Sequence, residues 1–375
     1  MDTRAPPHGP PGRHERRSRR EPHGRESDAQ HEPREAAVDV RASVAAALVA
    51  ALVVLAVVAG SRGLRDFDSA LVGYATATVF LAFGVTYRYV VWVQSPPARR
   101  WLRRGWRAFL SWRNFRRAPG RVPRALVVHL GLQRFIAARG RGRWLAHQTL
   151  FWGVVLATLV TFPLTFGWIR FEARPRTTDG YTSYVAGVET GSFDATSVFG
   201  WLVFHVLDIA AVLVIAGAGW FLWRRFRDRE VAVVQGLGSD LVPLVALITV
   251  SVTGLLLTFS SLALDGRYYD FLAILHMASV VLTLLYIPFG KFFHVVQRPA
   301  SVGVQVAKAA ALARDGPARC RRCGAPFETA EFVADLQATM GELGLGFAEW
   351  ADTCPRCKRV ARGRAYLRQV KGGFR

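Results

Sequence analysis

Six apolar stretches divide the chain: 42–60, 70–93, 146–169, 198–223, 241–263 and 271–299. A bilayer core of roughly 30 Å takes about 20 apolar helical residues to cross, so each stretch reads as a membrane span. The fold class expected is therefore an all-α polytopic membrane protein, a six-helix transmembrane bundle. Composition agrees, since 51% of the 375 residues are hydrophobic. The net charge of +22 does not point to nucleic acid, because it sits between apolar spans and no nucleic-acid motif accompanies it.

Arginine sets the orientation. Residues 94–144 hold 14 arginines and no acid, and Arg224, Arg225, Arg227 and Arg229 follow span four, whereas 61–69, 170–197 and 264–270 are not strongly basic. Basic loops stay on the cytoplasmic side, so both termini are expected in the cytoplasm of a multi-pass inner (plasma) membrane protein. Residues 1–41 are rich in Pro, Arg, Glu and His and read as a disordered tail, whose His8, His14, His23 and His31 lack metal-site spacing. Spans one and two fill 42–94. Residues 95–144 read as a basic amphipathic segment, with Trp101, Trp106, Phe109, Trp112 and Phe115 near helical spacing, suited to an anionic leaflet or a partner subunit. Within it, 125–138 is too short to cross and His129 reads as interfacial. Arg88, beside Tyr87, Tyr89 and Trp92, reads as a snorkelling interfacial residue, as does Lys291, whose alternative role is to neutralise the propionates of an inner haem.

The core is 145–299. Ionisable groups inside spans are functional candidates by default. His276 and His294 lie 18 residues apart in span six. As one continuous helix that is five turns and roughly 27 Å, so both imidazoles would share a face. The arginine topology puts His147 and His294 at the inner ends of their spans, and His205 and His276 a few residues in from the outer ends. Two depth-matched pairs from different helices are what two bis-histidine haem b groups require, His147/His294 inside and His205/His276 outside. Asp208, three residues after His205, is placed to orient that ring or to accept a proton from a quinol. Pro288 would kink span six between its histidines.

The sequence from His276 through PFGKFFH, ending at His294, resembles the last helix of the di-haem b-type gamma subunit of respiratory nitrate reductase. Membrane anchors of heterodisulfide-reductase and sulfite-reductase complexes share that pattern. The likeness covers about 145–299. It implies that His276 and His294 each ligate one haem, and that His147 matches the first of two further ligands on an earlier helix. Span three has Ala157 where a second histidine would follow, and His205 on the next helix stands in for it. The resemblance also implies quinol oxidation near the outer haem, with electrons passed to a soluble cytoplasmic iron–sulfur or molybdenum oxidoreductase subunit.

After a linker at 300–318, residues 319–375 carry Cys320, Cys323, Cys354 and Cys357, two CxxC pairs separated by 30 residues. Four such cysteines are a tetrahedral metal signal. A zinc-ribbon-like domain is the leading reading, in a reducing compartment. Cys323-Gly324 and Cys354-Pro355 also resemble rubredoxin, whose thiolates hold iron, although Lys358 stands where that family has glycine. Thr329 is placed to cap a helix with Phe332, Val333, Leu336, Met340 and Leu343 on one face. No nicotinamide, flavin or molybdopterin motif occurs, so the expectation is an electron-transfer subunit rather than a complete enzyme. A transporter is disfavoured by the lack of an internal repeat or a broken-helix pair. A membrane-anchored zinc-ribbon scaffold without haem is the other alternative.

Overall fold

A computed structural model describes residues 38–175, 177–227 and 237–372 of the chain. In order, its helices are α1 (Val40–Gly60), α2 (Val72–Gln94), α3 (Pro96–Phe109), α4 (Trp112–Arg117), α5 (Arg121–Ala125), α6 (Arg134–Ala137), α7 (Arg141–Thr165), α8 (Val198–Arg227), α9 (Val242–Ala263), α10 (Tyr269–Tyr286), α11 (His294–Asp315), α12 (Ala330–Glu342) and α13 (Pro355–Gly372). Among the described residues, α1, α2, α7, α8, α9 and α10 are long and apolar enough to cross a membrane. Their outward faces suit lipid: Leu52, Leu159, Leu262 and Leu282 are 61–72% exposed, which a soluble core would not leave bare.

The packing order is α1–α2–α10–α9–α8–α7. Small residues set the close approaches, as between helices in lipid. A Cβ on Gly153 would stand 2.9 Å from the Ala210 carbonyl, and one on Gly217 would stand 2.6 Å from that of Ala146, so α7 and α8 pack antiparallel along glycine and alanine. α1 begins where Asp39 accepts a hydrogen bond from the Ala42 N–H at 3.1 Å. The expected tail of 1–41 otherwise lies almost wholly outside the described residues.

Three elements differ from the sequence expectation. First, 170–197 forms a small antiparallel sheet, β1 (Ile169–Ala173), β2 (Gly180–Val185) and β3 (Val188–Asp194). Ala186 and Gly187, both at positive φ between paired Val185 and Val188, make the two-residue turn that such a hairpin needs. Phe171, Tyr181 and Phe193 of the sheet pack on Phe204 of α8. Second, span six is not one helix. α10 ends at Tyr286, a single 3-10 turn covers Lys291–Phe293, and α11 starts at His294. Pro288 lies in the break because its ring cannot continue the hydrogen-bond ladder. The five-turn register between His276 and His294 therefore does not apply. Third, the expected linker at 300–318 is mostly α11. Ala300, Val302, Gly303, Val306 and Ala311 are buried on one side of it.

That side meets α3. Gly105 and Gly303 bring the two backbones together, and a Cβ on Gly105 would stand 2.7 Å from the Val304 nitrogen and 2.8 Å from the Gly303 carbonyl carbon. Gly105→Ala is expected to force the helices apart at a cost of about 1–3 kcal/mol. A thermal-shift assay in detergent reads this, and an unchanged midpoint would show that the backbones do not meet there.

Candidate functional site

The helix ends fall into two groups. At the sheet end, Trp168 Nε1 donates to the Ala56 carbonyl at 3.0 Å and Arg170 pairs with Asp66 at 3.5 Å. At the basic end, Arg88, Lys291, Arg298 and the arginines of α3 gather.

At the sheet end, His205 is the eighth residue of α8, and His276 is the eighth of α10. His205 Nδ1 lies 2.9 Å from the Trp201 carbonyl, and its ring stacks on Trp201 with centroids 4.8 Å apart. A carbonyl only accepts, so Nδ1 carries the proton and the Nε2 lone pair is left open. His276 Nδ1 lies 3.0 Å from Thr253 Oγ1 of α9, and that hydroxyl donates to the Thr249 carbonyl at 2.8 Å. With that hydroxyl's proton given to a carbonyl, its oxygen is free to accept from Nδ1 of His276. Asp208 does not orient His205. Its Oδ1 accepts from Thr258 Oγ1 of α9 at 2.7 Å, tying α8 to α9. No contact joins His205 to His276 among the described residues.

At the basic end, His294 Nδ1 lies 2.6 Å from the Lys291 carbonyl, so it too presents an open Nε2. His147, on the first turns of α7, sits edge-on to Phe221 of α8 with centroids 6.5 Å apart. Its Nδ1 is buried with no hydrogen-bond partner. His294 and Arg298 lie near it. Phe221 and His205 are 16 residues apart on α8, so the two tiers are separated by roughly 24 Å along that helix.

The break that sets His294 is held by Arg88, which the sequence suggested was a snorkelling residue. Instead its Nη1 donates to the carbonyls of Pro288 at 2.6 Å and Gly290 at 3.1 Å. Its guanidinium lies 4.4 Å over the Phe293 ring. Lys291 is likewise paired, with Asp240. Arg88→Ala would leave two carbonyls of the break unsatisfied and remove the ring contact, a local loss of about 3 kcal/mol. Faster amide exchange over 287–294 would register it, whereas unchanged exchange would mean the break holds itself.

The four cysteines converge beside this end. β4 (Pro317–Arg319) and β5 (Pro326–Thr329) form a hairpin whose turn carries Cys320 and Cys323. Gly324, at φ +69, closes the turn by donating to the Cys320 carbonyl at 2.8 Å. Cys354 and Cys357 open α13, with Pro355 at its first position. One pair sits in the β4–β5 turn and the other opens α13, so the module joins a hairpin to a helix start. All four Sγ atoms lie within 4.8 Å of one another. The Cys354 N–H donates to Cys320 Sγ at 3.2 Å. Backbone donors from Cys354, Cys323 and Arg322 hold the Cys320 thiol down at about 6, while hydrogen bonding with Cys323 and Cys354 pushes Cys357 up to about 12. Such a set can hold zinc or iron.

Part of the basic segment is used internally. The α12 cap forms as expected, Thr329 Oγ1 accepting from the Phe332 N–H at 3.2 Å. Arg104 of α3 pairs with Glu331 at 3.3 Å and Asp335 at 3.0 Å, and Arg100 pairs with Glu342. Trp101 stacks on Phe332 with centroids 5.1 Å apart. Thus one face of α3 grips the four-cysteine module, while Trp106, Leu110 and Trp112 remain exposed. The grip was missed in sequence because Glu331, Asp335 and Glu342 lie more than 220 residues from their arginines.

No protein-family model, no curated protein and no solved structure matches this chain.

Proposed function

We propose that the chain is the membrane cytochrome b subunit of a quinol-linked oxidoreductase, with His205 and His276 holding one haem b and His147 and His294 the other. The observation that carries this reading is nitrogen geometry. Three histidines, on three different helices, place Nδ1 within hydrogen-bond distance of an oxygen, which leaves Nε2 for a ligand. That is how histidines that ligate a metal are oriented. The fourth, His147, has a buried ring nitrogen with no protein partner. Haem iron supplies reversible one-electron transfer when bound.

The chain's own residues then divide the work. Trp201, Thr253 and Lys291 fix the ring tautomers. Arg298, near His147, provides positive charge for haem carboxylates. Asp208, held by Thr258, accepts a proton from quinol at the sheet end. By the positive-inside rule the basic end faces the cytoplasm of the plasma membrane. There the protein passes electrons to a soluble iron–sulfur or molybdenum subunit, as the likeness to the nitrate reductase gamma subunit implies. The four cysteines hold zinc, which folds the module without redox chemistry of its own.

A dithionite-reduced-minus-oxidised spectrum of the detergent-purified protein tests the reading. A b-type alpha band is expected, and its absence would overturn the cytochrome assignment. Elemental analysis of the same sample should return one zinc per chain; one iron in its place would make the module a redox centre.

A further inference from the structure

The cleft between α5, α11 and the β4–β5 hairpin belongs to neither histidine tier nor the cysteine cluster. It has a volume of about 640 Å³ and is lined by Arg121, Arg124 and His129 on one side and by Gln305, Val306 and Ala309 on the other. A second lobe of about 390 Å³ shares His129, Gln305 and Ala309 and reaches Lys308 and Glu328. Each lobe falls in the size range of small-molecule sites, ~300–1,000 Å³.

The charges in it are not balanced. Lys308 donates to Glu328 at 2.8 Å and sits 3.8 Å over the Phe332 ring, so its charge is matched. Arg121 and Arg124 have no acidic partner among the described residues, and 94–144 contains no acid at all. Elsewhere on this end the arginines that face the module are matched: Arg100 and Arg104 by α12, Arg314 by Asp315 and Glu331. Burial holds the His129 imidazole below its ordinary range, so near pH 7 it adds a neutral hydrogen-bonding group rather than a third charge. The facing wall carries Gln305 beside the apolar Val306 and Ala309.

We infer that this cleft binds a phosphate group, with Arg121 and Arg124 as its charge partners, whether the phosphate is free or is the headgroup of an acidic phospholipid. Guanidinium groups match phosphate oxygens with paired hydrogen bonds. The apolar residues of the two sides, Ala125 and Val128 on one and Val306 and Ala309 on the other, suit the glycerol and first acyl carbons of a lipid. Basic pockets at the cytoplasmic side of membrane bundles serve this chemistry. The inference does not depend on the haem assignment.

Native mass spectrometry of the full-length protein in detergent tests it. Dioleoyl phosphatidylglycerol should bind at least fivefold more than dioleoyl phosphatidylcholine. Arg121→Gln with Arg124→Gln should remove that preference. Arg103→Gln with Arg107→Gln, on the open surface of α3, should keep it. Ala309→Trp, which fills the cleft from the facing wall and leaves both arginines, should weaken phosphatidylglycerol binding in a protein whose zinc content and elution volume are unchanged. Displacement by millimolar inorganic phosphate would identify a site for the phosphate group itself, and resistance to displacement a site for the lipid. Equal binding of the two lipids, or undiminished phosphatidylglycerol binding in both the double-glutamine and tryptophan variants, would overturn the inference.

Discussion

On the proposed cytochrome reading, replacing His294 with alanine is expected to remove the haem at the basic end and spare most of the other. Haem content should fall from two to about one per chain, and the alpha band should lose roughly half its amplitude. His276→Ala should do the reverse. The selectivity follows from the structure. His294 is fixed by Lys291 and the Arg88-held break, whereas His276 is fixed by Thr253 on α9. With the tiers roughly 24 Å apart along α8, neither substitution touches the residues that orient the other. Pyridine haemochrome quantitation and redox titration of each variant measure this. Loss of both haems from either variant would sink the pairing.

The second large effect concerns the cysteines. Cys354→Ser should abolish metal binding and unfold the module while leaving the spans intact. Cys354 is buried at the start of α13, and its N–H bonds Cys320 Sγ, so it joins the helix to the hairpin. If the metal is zinc, as proposed, a structural site contributes about 10–16 kcal/mol of binding free energy, and that energy is folding energy. The remaining supports are the Trp101–Phe332 stack and surface ion pairs such as Arg104 with Glu331, the latter worth about 1 kcal/mol or less each. Limited proteolysis should then cut within 320–372, and zinc should fall from one to near zero per chain. A protease-resistant module with full metal content in the variant would refute the structural role.

The six spans were legible because hydropathy over about 20 residues is a local property; five coincide with a helix, and the sixth does so only as far as Tyr286. The cysteine spacing likewise forecast the cluster, since two CxxC pairs bring their own geometry, and Thr329 announced its helix. What could not be read was anything set by a distant partner. The sequence gives Pro288 in span six, but not that Arg88, 200 residues earlier, stabilises a full break there. It gives Asp208 close to His205 on one helix, but not that Thr258 of α9 claims the carboxylate. The small apolar residues of 300–311 looked like a linker because their low hydropathy signal becomes a buried face only against Gly105 of α3.

The sequence by itself therefore determined the class of the protein: six apolar helices, a basic end and a four-thiolate cluster, each encoded within a short window. Only the tertiary structure decided how the ionisable groups are used. It tied Nδ1 of His205, His276 and His294 to named oxygens, turned one face of the arginine-rich α3 inward onto the cysteine module, and left Arg121 and Arg124 unmatched beside a cleft. The physical reason is that a charge or a ring nitrogen takes its role from whatever lies within about 3 Å of it, and in this chain those neighbours come from other helices or from backbone carbonyls that the fold exposes.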